Sequence, residues 1–121
     1  MTGAPAPAYC TYQLVIRVAQ PVEVAVGRFG RHLFPAGTYV YTGSARRNFE
    51  ARVARHLRQA KTLRWHIDYL LAAPGVSVLE VRRTDAPECA VNQATAGEVV
   101  VPGFGASDCR NGCASHLKRL A

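Results

Sequence analysis

The stretch Tyr39-Val40-Tyr41-Thr42-Gly43-Ser44 decides how this chain is read. Residues 38–42 are β-branched and aromatic, the composition of a central strand, and alternation along it puts Tyr39 and Tyr41 on one face. Gly43 is expected to let the backbone turn without a Cβ. Further on, Arg52 and His56 stand at the four-residue spacing that stacks two side chains on one face of a helix. Tyrosines on strands, with Tyr12 in an earlier one, can therefore meet an arginine and a histidine from a helix at one site.

Outward from this stretch, Leu14, Ile16 and Val18 alternate within residues 13–18 and Val22, Val24 and Val26 within residues 22–26, so both segments read as half-buried strands. Gln20-Pro21 turns between them. Residues 27–30 end the second run, residues 31–34 return as a short strand, and Pro35-Ala36-Gly37 turns the chain again. Asn48 reads as the N-cap of a helix whose apolar stripe is Phe49, Val53, Leu57 and Ala60, with Arg52 and His56 flanking it at the boundary between core and sheet surface. Residues 66–71 make a short second helix ended by Pro74-Gly75, residues 76–82 alternate as a strand, and residues 88–96 form a helix stopped by Gly97. Val99-Val100-Val101 reads as a further strand-like run, followed by a glycine-containing loop and a terminal strand over residues 115–120. The pattern predicts an α+β fold, a small and mainly antiparallel β-sheet packed by helices.

With 121 residues, 49% of them hydrophobic, the chain has material for one domain with a buried core and no room for a second. That domain is expected over residues 9–121, behind a disordered tail at residues 1–8 that holds Pro5 and Pro7 and no hydrophobic periodicity. No run of about 18 apolar residues is present, so no membrane segment is expected. Residues 2–8 lack the charged and apolar regions of a secretory signal, and a soluble cytoplasmic protein follows as the expectation. Fifteen Lys and Arg against eight Asp and Glu give a net charge of +7. The excess gathers in residues 46–64, where Arg46, Arg47, Arg52, Arg55, Arg58, Lys61 and Arg64 face the single acid Glu50. Such a cluster suits a polyanion, because neutralising phosphates releases condensed counterions; the alternative is a solvated helix face.

Cys10, Cys89, Cys109 and Cys113 form no disulfide framework in a chain with this much apolar material, and reduced thiols are expected. Cys109-x3-Cys113-x2-His116 could present thiolates and an imidazole to Zn²⁺, yet the spacing is not a common zinc pattern and a fourth ligand must come from Cys89 or His66. Packed thiols rank above bound zinc on that incomplete set.

Cys10-Thr11-Tyr12 and Tyr41-Thr42-Gly43, in that order, resemble the two tripeptides of the GIY-YIG nuclease superfamily, with Cys10 where the first glycine would stand. Trp65-His66-Ile67-Asp68-Tyr69-Leu70-Leu71, Glu88-Cys89, Gly103-Phe104-Gly105-Ala106-Ser107-Asp108-Cys109 and Ser115-His116-Leu117 look like a small branch of that superfamily, in some cases fused to endonuclease III-type repair enzymes. The resemblance spans residues 9–118. It implies a GIY-YIG-like fold and a divalent-metal-dependent DNA endonuclease, with a link to DNA repair.

Phosphodiester hydrolysis needs an aligned nucleophile, a proton acceptor, positive charge on the phosphate, and protonation or metal binding at the leaving oxygen. The resemblance implies Tyr41 as general base on water, which demands a lowered phenol pKa or a proton relay, and Tyr12 as the group orienting that water. Arg52, at the place of the superfamily's helix arginine, would clamp the phosphate, and His56, sharing its face, would move protons. Glu88 is the match to a single metal-binding glutamate that would hold Mg²⁺ or Mn²⁺. Arg46, Arg47, Arg55, Arg58, Lys61 and Arg64 would grip the DNA backbone. Besides Glu88, only Asp68, Glu80 and Asp108 are plausible site carboxylates, too few for a two-metal pocket.

Each residue also has a plainer reading. Tyr39 and Tyr41 can pack the sheet, Glu88 can be a favourable acid at a helix N-terminus, Trp65 can be core, and Asp68 can pair structurally with His66 or His116. A Ser-His-Asp hydrolase is set aside because no nucleophile elbow surrounds Ser107 or Ser115. Two alternatives to the nuclease stay open: a non-catalytic nucleic-acid-binding module, and an interaction domain stabilised by zinc on Cys109, Cys113 and His116.

Overall fold

The computed structural model describes residues 9–45, 47–58, 61–106 and 112–120. The expected tail at residues 1–8, Arg46, Ala60, and Ser107, Asp108 and Cys109 lie outside them. Strand β1, Thr11–Val18, and strand β4, Gly37–Ser44, run antiparallel at the centre of a sheet whose order is β5-β1-β4-β6. The edges are β5, Val76–Thr84, and β6, Leu117–Arg119, each antiparallel to its neighbour. Strands β2, Val22–Ala25, and β3, Arg31–Phe34, pair as a separate hairpin joined by a 3-10 turn at Gly27–Phe29. Helices α1, Phe49–Leu57, α2, His66–Leu71, and α3, Glu88–Ala94, complete the α+β fold that the pattern predicts.

The register settles what each face of the sheet carries. Tyr12 pairs with Gly43, Leu14 with Tyr41 and Ile16 with Tyr39, and paired residues point to the same side. These side chains pack with Val53, Ile67, Leu70 and Phe104 into one apolar cluster. Thr11, Gln13, Thr42 and Ser44 alternate onto the other side, where the Gln13 amide bonds the hydroxyls of Thr42 and of Thr95, just beyond α3. Thus the β1–β4 pair has a dry face packed by α1 and α2 and a second face covered by α3.

Three local readings change in the folded chain. Asn48 does precede α1, but it sits in the left-handed region at φ 53° and its side chain makes no capping bond. The inward stripe of α1 is Phe49, Val53 and His56, while Leu57 is 49% exposed and His56 only 2%. Steps of four and three satisfy helical periodicity as well as two steps of four, and the imidazole gains a partner inside that Leu57 lacks. The valine run at residues 99–101 is not a strand. Only Glu98 forms an isolated bridge, to Arg119, and Val101 is buried through the core cluster instead.

Candidate functional site

Gly43 matters through space, not through a turn. It lies within β4, and a Cβ built on it would fall 2.6 Å from the Tyr12 ring and its hydroxyl oxygen. The missing side chain lets the Tyr12 ring lie across its cross-strand partner and deliver its hydroxyl 2.6 Å from His56 Nε2. The Tyr41 ring stands edge-on to His56 at 6.2 Å between centroids. Burial, opposed by Asp68 and reinforced by Lys61, Arg55 and Arg52, brings the His56 pKa down to about 4, so the imidazole is neutral near pH 7. In the tautomer protonated at Nδ1, Nε2 accepts from the Tyr12 hydroxyl and the Nδ1 proton faces Asp68; in the other, Nε2 donates to the phenol oxygen.

Burial also pushes both phenols above their ordinary value, with Arg52 opposing the rise at Tyr12 and the neighbouring Tyr12 adding to it at Tyr41. This desolvation runs against a lowered phenol pKa, one of two routes by which Tyr41 could serve as a base. A proton relay is the other route. Behind His56, the carboxylate of Asp68 is fully buried, with Oδ1 4.0 Å from His56 Nδ1. Burial alone would raise its pKa. The guanidinium of Arg55, donating at 2.9 and 3.0 Å, and the backbone N–H groups of Arg64 and Trp65 hold it below the usual carboxylate range instead. Asp68 thus pairs with Arg55 and not with His66 or His116.

That pairing takes Arg55 out of the set of cations available to phosphate. Lys61 is also occupied, its Nζ donating to the carbonyls of Arg55 and His56 at the end of α1, where burial lowers its pKa. Arg47, Arg58 and Arg64 are exposed, whereas Arg46 lies outside the described residues. Trp65 is half-buried, a platform with the guanidinium carbons of Arg55, Arg52 and Arg64 at 4.4, 4.9 and 5.9 Å from its ring. His66 accepts the Gly105 N–H at Nδ1 and stacks on Phe29, which removes it as a zinc ligand through that nitrogen.

Glu88, the first residue of α3, belongs to the other face. Its Oε1 accepts from the Ser44 hydroxyl at 2.7 Å and its Oε2 from His116 Nδ1 at 2.8 Å. Burial works against the carboxylate form, but these two bonds prevail and hold Glu88 below the ordinary range. The carboxylate borders an open depression of about 680 Å³ lined by Cys10, Thr11, Ser44, Asp85 and Cys89 among others. Tyr12, Tyr41, Arg52 and His56 do not line it. The single site expected from the sequence therefore divides between two faces, joined at the end of β4, where Arg52 donates to the Ser44 carbonyl at 3.1 Å while the Ser44 hydroxyl donates to Glu88. Arg52 and Glu88 also act electrostatically on both phenols from there.

Sequence reading missed Ser44 and His116 as the partners of Glu88. The residues are far apart in the chain and share no periodic pattern; the sequence singled His116 out through its spacing from Cys113, through Ser115-His116-Leu117 and as a partner for Asp68, never for Glu88.

A family model for a domain of unknown function, DUF123, matches residues 11–121. The chain belongs to the DUF123 family. Its matched span takes in every described element of the DUF123 fold, both halves of the site included. Comparison with curated proteins and with solved structures found no match.

Proposed function

We propose that this DUF123 domain hydrolyses phosphodiester bonds in DNA, as its resemblance to GIY-YIG nucleases implies, acting in the cytoplasm and in DNA repair. The observation that carries the reading is the meeting of Arg52, Ser44 and Glu88 at the end of β4, with the Tyr12–His56 pair behind it. A phosphate at this rim would find the Arg52 guanidinium as its counter-charge. Proton removal would run through the Tyr12 hydroxyl to the neutral His56, and the resulting imidazolium would face the Asp68 carboxylate. Tyr41 would pack against His56 and limit water around it. Arg47, Arg58 and Arg64 would hold the backbone on either side.

The oxygen donors bordering the depression, the Glu88 and Asp85 carboxylates with the Ser44 and Thr11 hydroxyls, are of the kind that suits Mg²⁺ or Mn²⁺. Glu88 would be the anchoring ligand, each oxygen having a lone pair beyond the bond it already accepts. Bound there, the ion would supply positive charge to the phosphate.

Branched, flapped, nicked, abasic and single-stranded DNA incubated with Mg²⁺ or Mn²⁺ tests the reading. Arg52→Ala is expected to lower cleavage roughly a hundredfold or more while DNA affinity changes little. Glu88→Ala should raise the metal concentration required. A second reading, a DNA-binding module without cleavage, draws on the burial of Tyr12 and Tyr41 and on the position of Glu88 across the sheet. Salt-sensitive binding with no cut product from any substrate would decide for it.

A further inference from the structure

We propose that Cys89, Cys113 and His116 bind a zinc ion whose histidine ligand is oriented by Glu88. The Cys89 and Cys113 sulfurs and a ring nitrogen of His116 lie within 4.8 Å of one another. Around a tetrahedral zinc, such atoms stand about 3.6 to 3.8 Å apart, so an inward movement of about 1 Å would bring these three donors to ligand spacing. The three ligands come from α3 and from the segment leading into β6, which the sequence separates widely and the fold brings together.

The second observation is the environment of the imidazole. His116 Nδ1 faces two acceptors, the Glu88 carboxylate at 2.8 Å and the Thr42 carbonyl at 3.2 Å, so Nδ1 must carry a proton. In the neutral ring the lone pair then belongs to Nε2. A carboxylate that fixes the tautomer and increases the basicity of the opposite nitrogen is the usual companion of a metal-bound histidine. The Gln93 amide donates to the Cys113 sulfur at 3.6 Å, a bond that a metal-bound sulfur would keep. Two thiolates and an imidazole select zinc over magnesium, because soft sulfur ligands suit the borderline Zn²⁺ ion and not the hard Mg²⁺ ion.

Binding forms two S–Zn bonds and one N–Zn bond, and the two thiol protons pass to solvent. Solvent or a further donor completes the fourth position. The ion would clamp the start of α3 to the segment before β6. Asn92 is the one buried residue of that helix, so apolar packing alone anchors it weakly. It would thereby set the Glu88 carboxylate against Ser44, whether or not Glu88 also serves hydrolysis. The proposal does not depend on nuclease activity.

The full-length chain, purified with a non-thiol reductant and no chelator, should contain about one zinc per molecule by elemental analysis. Cobalt titrated into the metal-stripped chain should give tetrahedral visible bands and a thiolate charge-transfer band in the near ultraviolet. Cys89→Ser, Cys113→Ser and His116→Gln should each lose the metal. Glu88→Gln should retain one site but bind about 10 to 100 times more weakly. Cys10→Ser should be unaffected, since that thiol faces the Asp85 carbonyl instead. The cobalt spectrum of the unsubstituted chain reports thiolate ligation even if a variant fails to fold. Lack of a thiolate band, full zinc retention in a Cys89→Ser, Cys113→Ser double variant, or a native Cys89–Cys113 disulfide under reducing conditions would overturn the proposal.

Discussion

The two faces of the β1–β4 pair handle polar groups in opposite ways. On the α1 side, Tyr12, His56 and Asp68 are buried in apolar surroundings, and the charge of Asp68 is matched by a bidentate arginine and two backbone N–H groups. On the α3 side, Glu88 has a side chain 28% exposed and neutral or titratable partners in Ser44 and His116, beside two thiols. A dry cluster is stable only when its hydrogen bonds are nearly complete, whereas a half-wet one can leave coordination open for an ion or a substrate. The dry side is not fully satisfied, since His56 Nδ1 has no hydrogen-bond partner among the described residues, and the contrast is between closed packing on one face and room for a ligand on the other.

The largest effect should follow from breaking the dry side. Asp68→Ala strands the Arg55 guanidinium and two N–H groups and should cost about 3 to 5 kcal/mol in denaturant unfolding. Glu88→Gln, measured in metal-free protein, should cost less than about 1 kcal/mol. Equal losses would erase the distinction between the faces.

Acid should separate the faces next. The unfolded chain takes up a proton on His56 near pH 6.5 and the folded chain only near pH 4, so lowering pH through this window favours unfolding by up to about 3 kcal/mol. Asp68 and Glu88 have lowered folded pKa values, and their contribution is lost only below the ordinary carboxylate range. Unfolding free energy measured against pH should therefore fall in two stages. His56→Phe should flatten most of the upper stage, to which the lowered pKa of His66 also contributes, and leave the lower one.

Gly43→Ala sharpens the same point at a single contact. The new methyl meets the Tyr12 ring, and the cost should be about 1 to 3 kcal/mol. In a Tyr12→Ala background, thermal denaturation should show most of that cost removed. The smallest effect belongs to the exposed cations. If DNA binds along α1, replacing Arg58 and Arg64 by glutamate should reduce the slope of log affinity against log salt by about two and leave folding intact. Arg55→Glu should instead lower stability, because its partner is Asp68.

Strands β1, β4 and β5 were legible because alternation repeats over enough residues to outweigh local exceptions, and α1 to α3 because apolar spacing and the flanking Pro74-Gly75 and Gly97 mark them. The burial of His56 over Leu57 was not legible. Both positions satisfy helical spacing behind Val53, and the choice rests on a hydroxyl supplied by Tyr12 from a distant strand. Gly43 likewise reads locally as a turn, since nothing near it in sequence reveals the ring lying on it. Among the basic residues, composition counts charges but cannot say which are already neutralised, and Arg55 is.

The sequence by itself determined the α+β class, the strand that carries Tyr41, and the helix that carries Arg52 and His56. These follow from periodicity and turn chemistry, which act over a few residues. Only the tertiary structure decided that Tyr12 and His56 share a hydrogen bond on one face while Glu88 and His116 share one on the other. It also brought Cys89 beside Cys113. Partner choice among polar groups depends on which distant segments the sheet register brings together and how much water is excluded there, and neither is a local property of the chain.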